Sequence, residues 1–88
     1  MHKRIAITGL GSVTPLGNDL KSTWDGCVQG RSGIDRISKF DPTPIRSHMA
    51  GEVKNFVVPA IIPHKEVKKM DTFIHYAIAA AHEALVDT

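Results

Sequence analysis

A chain of 88 residues with a formal charge of only +2, from eleven basic and nine acidic side chains, excludes a protein that binds nucleic acid by bulk charge. Hydrophobic residues at 42% and charged residues at 23% are ordinary globular values and exclude a disordered tail, so this chain is built to pack. At this length it is one domain at most, and folding would bury only about 60–65% of the surface that the unfolded chain exposes, which makes independent stability marginal.

The single cysteine, Cys27, excludes an internal disulfide, and the N-terminus lacks the apolar run of a secretory signal. No apolar segment approaches the roughly 20 residues that span a bilayer, because His75, His82 and Glu83 interrupt the alanine-rich stretch near the end. The expectation is a soluble, cytoplasmic protein with no membrane partner.

Ile5, Ala6, Ile7 and Thr8 form a short apolar run closed by Gly9, which predicts a strand buried on both faces, as in a parallel sheet. Gly9-Leu10-Gly11 then stands where a dinucleotide-binding loop would sit. The third glycine of that fingerprint is missing, however: Thr14 occupies its position, and Pro15 and Gly17 delay the helix, so a structural tight turn is the preferred reading and no cofactor is expected.

Asn18 or Asp19 can cap a helix in which Leu20, Trp24, Cys27 and Val28 recur at helical spacing, with Gly30 suited to its C-terminal stop. Cys27 is the only candidate thiol nucleophile, but Asp25-Gly26-Cys27-Val28 supplies no base or activating charge, and its place on the apolar stripe predicts a buried core cysteine. From Arg31 to Ser47 the punctuation is dense, with Gly33 and Asp41-Pro42-Thr43-Pro44, and only Ile34, Ile37 and Phe40 anchor it. This predicts a loop lying on a larger body. Met49 to Val53 reads as a short second strand weakened by Gly51, and Pro63 suits the first turn of a short helix.

On that short helix, at about 100° per residue, Lys68 and Lys69 lie about 60° and 40° to either side of Lys65, while Val67 and Met70 fall opposite. The sequence therefore predicts ammonium groups outward and apolar side chains inward, with Glu66 able to pair with Lys69 at i,i+3. A solvated helix face is one reading of this cluster, and docking of an acidic partner is the other. The last segment, capped by Asp71, carries Phe73, Ile74, Ala77, Ile78, Ala80, Ala81, Ala84 and Leu85, which cover more than one face and predict a nearly buried helix. So few residues can hardly surround it, which points to an incomplete chain or to a tight homo-oligomer. His75 and His82, seven positions apart and without an evident third ligand, predict no metal site.

Taken together, Ile7-Thr-Gly-Leu-Gly11, Thr14-Pro-Leu-Gly-Asn18, Ser22-Thr-Trp24, Gly30-Arg-Ser-Gly-Ile34, Phe40-Asp41, Ala50-Gly51 and Lys65-Glu-Val-Lys-Lys-Met-Asp71 resemble the N-terminal portion of the elongating β-ketoacyl-acyl carrier protein synthases (type II), from Lys3 to about Val86. The resemblance implies an α/β, thiolase-like fold of two similar halves. Residues 1–88 would then be an incomplete N-terminal portion of the synthase N-terminal domain, supplying the opening strand, helices and loop of the first half, in a protein that is a homodimer when complete.

It also implies an acyltransferase of fatty acid biosynthesis. A cysteine takes the acyl chain from acyl carrier protein, and two histidines assist decarboxylation of malonyl-acyl carrier protein, giving a β-ketoacyl chain two carbons longer. No residue of this chain matches those three, so the 88 residues alone are expected to be inactive. The family's carrier-protein surface includes a basic patch at the segment matching Lys65, Lys68 and Lys69, which raises the docking reading above the solvated face. Two alternatives stay open: a ketosynthase or chain-length subunit of a polyketide pathway, and a small non-enzymatic module that binds carrier protein.

Overall fold

The computed structural model describes residues 3–88 and arranges them as α1 (Leu20–Val28), β1 (Ile34–Arg36), β2 (Met49–Gly51), α2 (His64–Val67) and α3 (Thr72–Asp87). The first helix begins where the sequence places it. Asp19, not Asn18, is the cap, and its carboxylate accepts the Ser22 N–H at 2.7 Å, which satisfies an otherwise orphan donor. That backbone bond, with the Ser22 side chain, holds the Asp19 carboxyl below its usual range. Asn18 instead donates its side-chain amide to the Lys54 and Asn55 carbonyls at 2.9 and 3.0 Å, fixing a turn in which Asn55 is left-handed (φ 57°).

At the other end, Gly30 takes φ 71°, its N–H bonds to the Cys27 carbonyl at 3.1 Å, and the Arg31 N–H bonds to the Gly26 carbonyl at 2.9 Å. This pair of reversed hydrogen bonds is how a glycine closes a helix.

The segment expected to be a loop contains a strand. β1 pairs with β2 in antiparallel register, with Ile34 opposite Gly51, Asp35 opposite Ala50 and Arg36 opposite Met49. The second strand is shorter than the expected Met49–Val53, because Glu52 turns away to bind the chain after β1. Its carboxylate accepts the Ser38 N–H (3.0 Å), the Ser38 hydroxyl (2.8 Å) and the Lys39 N–H (3.1 Å), and these donors, Ser38 first, hold its pKa below the usual value. Farther along, the Phe56 ring meets Tyr76 edge-on at 4.9 Å, and the Lys39 ammonium donates to the Tyr76 hydroxyl at 3.2 Å, so this connection also leans on α3.

Three expectations about burial fail for one reason. The run Ile5–Thr8 forms no regular element and pairs with no strand among the described residues, and Ile5 and Ile7 are 89% and 80% exposed. A strand of a parallel sheet needs ladder partners on both sides, and those are non-local. The apolar stripe of α1 likewise faces outward: Trp24 is 65% exposed and Cys27 is exposed too, so the expected core cysteine is a surface one. Helix α3 buries only His75, and it leaves Phe73, Leu85 and Val86 exposed.

Among the described residues Ile62 is the sole buried hydrophobic side chain. A radius of gyration of 16.1 Å, against about 12 Å for a compact domain of this length, describes the same absence of a shared core. No helix among the described residues is long and apolar enough to cross a membrane.

Candidate functional site

The lysine cluster is built from a turn and a short helix. A Pro59–Ile62 turn, closed by the Ile62 N–H on the Pro59 carbonyl at 3.0 Å, brings the chain to Pro63, whose φ of −57° suits helix entry. Pro63 is the N-cap of α2 rather than a residue of its first turn, and its carbonyl accepts the Glu66 N–H at 2.8 Å. Beyond Val67 the chain keeps turning through Lys68 and Lys69, with the Lys69 N–H on the Glu66 carbonyl at 3.0 Å.

This geometry presents Lys65, Lys68 and Lys69 to solvent and leaves Val67 and Met70 half-buried, as the helical spacing predicts. Lys69 lies 3.8 Å from the Glu66 carboxylate, so part of its charge is answered locally. Lys65 and Lys68 have no ion pair among the described residues. Buried His75 fixes the cluster to α3 through a 3.1 Å hydrogen bond between its Nε2 and the Val67 carbonyl. His75 is therefore a structural histidine, His82 is exposed, and among the described residues no group of His, Cys, Asp or Glu side chains converges as a metal site.

The glycine loop does different work. A Cβ on Gly9 would strike the Ala84 carbonyl, and one on Gly11 would strike the Ala80 carbonyl, so these glycines let the chain lie directly on α3. Two amides of the loop and one at the start of α1 are taken by carboxylates. The Leu10 N–H donates to Asp87 at 3.1 Å and the Ser12 N–H to Glu83 at 2.8 Å, while the Leu20 N–H at the start of α1 donates to both Glu83 oxygens at 3.1 Å. Glu83 is thus a second, long-range cap of α1, supplied from α3. Sequence reasoning missed it because donor and acceptor lie 63 to 71 positions apart. Cys27 sits with Trp24 and Val28 on the outward stripe of α1.

The family description "Beta-ketoacyl synthase, N-terminal domain" matches residues 2–88. The chain is 48% identical over 86 residues to 3-oxoacyl-[acyl-carrier-protein] synthase 2 of Staphylococcus aureus (strain COL), covering 98% of this chain and 21% of that protein. It is 42% identical over 85 residues to the protein of the same name from Synechocystis sp., covering 97% of this chain and 20% of the relative. The chain therefore spans about a fifth of the length of the curated relatives it matches.

Proposed function

We propose, from the premise that this chain belongs to the β-ketoacyl synthase N-terminal domain family, that it is the opening portion of an elongating condensing enzyme and that α2 is its docking point for acyl carrier protein. The complete enzyme is a transferase that joins an acyl chain to malonyl-acyl carrier protein with loss of carbon dioxide. Its nucleophilic cysteine and assisting histidines belong to other parts of the fold, and Cys27, with no base beside it in sequence, takes no catalytic role.

The observation that carries the docking role is the pair Lys65, on α2, and Lys68, at its C-terminal end, exposed, without ion pairs among the described residues, beside the Val67 carbonyl that His75 holds. Such charges steer an acidic partner during encounter and set its orientation on arrival. The outward Ile5, Ile7, Trp24, Phe73 and Leu85 support the placement within a larger body, because solvent-facing aliphatic and aromatic groups in this number are covered in a finished domain. In that body Ile5–Thr8 becomes the opening strand of a thiolase-like half, and the whole enzyme is a homodimer.

The test is an assay of the complete synthase with acyl and malonyl carrier protein, read as the mass of the carrier product. A β-ketoacyl carrier longer by two carbons supports the proposal. Malonyl decarboxylation without condensation identifies a chain-length subunit instead.

A further inference from the structure

Residues 12–20 leave α3 and return to it at one carboxylate. Glu83 Oε1 accepts the Ser12 N–H at 2.8 Å and the Leu20 N–H at 3.1 Å, and Oε2 takes the Leu20 N–H as well. Between those ends the chain bonds to itself: Thr14 and Gly17 exchange N–H and carbonyl at 2.9 and 3.1 Å, and the Thr14 hydroxyl accepts the Leu16 N–H at 3.1 Å. A segment with its ends together and its interior bonded internally is an Ω-type loop.

Its tip reaches elements that its neck does not. A Cβ on Gly33, just before β1, would stand 2.7 Å from the Pro15 side chain, one on Gly51 of β2 would stand 3.1 Å from it, and one on Gly26 of α1 would stand 3.2 Å from Leu16. Three glycines therefore make room for two side chains of the loop. On its flank Asn18 holds the Lys54 and Asn55 carbonyls, and the Thr14 and Thr23 hydroxyls meet at 2.9 Å. Among the described residues β1 and β2 are the only elements in extensive direct contact, so the loop supplies the junction that α1, the β1–β2 hairpin and α3 scarcely make with one another.

We infer that residues 12–20 are a strap that opens and closes as one unit, that Glu83 is its latch, and that α1 and the hairpin keep their places on α3 through it. Local opening in folded proteins proceeds in such contiguous units. Here the neck depends on one side chain, so loss of Glu83 at one end releases hydrogen bonds at the other.

Amide hydrogen exchange of the complete synthase, read residue by residue, tests this by perturbing one end and observing the other. Glu83→Ala removes charge-assisted bonds at the neck and should lower protection about tenfold at Thr14 and Gly17, whose own hydrogen bonds Glu83 does not share. Gly33→Ala pushes on Pro15 at the tip and should lower protection about fivefold or more at Ser12 and Leu20, at the far end of the loop.

Protection lost at Ser12 and Leu20 alone in Glu83→Ala, with Thr14 and Gly17 within about twofold of wild type, makes the contacts independent and overturns the inference. So does a Gly33→Ala effect confined to the tip. Should either variant fail to fold, the wild-type enzyme decides. Amides of Ser12, Thr14, Gly17 and Leu20 that open together share one protection factor and one dependence on dilute denaturant, whereas values spread over about tenfold or more overturn the strap.

Discussion

Reversing Lys65 and Lys68 together separates docking from folding, because both ammonium groups are exposed and neither belongs to an ion pair among the described residues. An exposed attractive pair contributes about 0.2–1 kcal/mol. Replacing lysine by glutamate turns that attraction into a repulsion of similar size, so each site changes binding by about 0.4–2 kcal/mol. Together they weaken carrier-protein affinity by about 1–4 kcal/mol, with a middle value near 2 kcal/mol corresponding to about thirtyfold. Lys69 is left in place because Glu66 already answers part of its charge.

The assay is anisotropy of labelled holo-acyl carrier protein titrated with the complete synthase. The screening length falls from about 30 Å at 0.01 M salt to about 3 Å at 1 M, so the gap between wild type and variant should nearly close across that range. Thermal stability should move by less than about 0.5 kcal/mol, as for other surface changes. Equal affinities of the two proteins at 0.01 M salt, about the low end of the range, would refute the electrostatic reasoning.

Four further outcomes concern the scaffold of the complete protein. Gly11→Ala drives a methyl group into the Ala80 carbonyl and should destabilise by about 1–3 kcal/mol in denaturant unfolding. Asp19→Ala removes the Ser22 bond at the start of α1 and should cost about 1 kcal/mol, with Asp19→Asn restoring most of it. Gly30→Ala places a Cβ at φ 71° and should cost about 1 kcal/mol without new contacts, since open space surrounds the position. Glu52 has a folded pKa held below 4.5, so its stabilisation is complete above that value and is lost as pH falls through the lower folded one. Glu52→Gln should therefore speed amide exchange at Ser38 and Lys39 near neutral pH, and the difference from wild type should vanish in acid.

Local signals were readable from the residues. The Asp19 cap and the Gly30 stop both act within a few positions of the helix they bound, as do the Pro63 entry and the outward lysines, so their physics is written into short stretches. What depends on distant partners was not. β1 has three residues in a glycine- and proline-dense stretch, and only its pairing with Met49–Gly51 defines it. The hydrophobicity of Ile5–Thr8 predicts a buried strand, but burial requires neighbours that the described residues do not provide, and Ile5 and Ile7 stay exposed. Trp24 and Cys27 repeat the lesson: a stripe at helical spacing says which side chains share a face, not what lies against it. Glu83 and Glu52 were invisible for the converse reason, since a carboxylate that gathers backbone amides across the fold leaves no pattern in its own neighbourhood.

The claim that Lys65 and Lys68 are where an acidic carrier meets this chain is most directly tested by zero-length cross-linking of the complete synthase to holo-acyl carrier protein, with the joined peptides identified by mass spectrometry. Carbodiimide joins only amines and carboxylates already in contact, so the account predicts cross-links at Lys65 and Lys68, abolished by high salt. Cross-links confined to lysines elsewhere in the protein, with none on the His64–Met70 stretch, would contradict it.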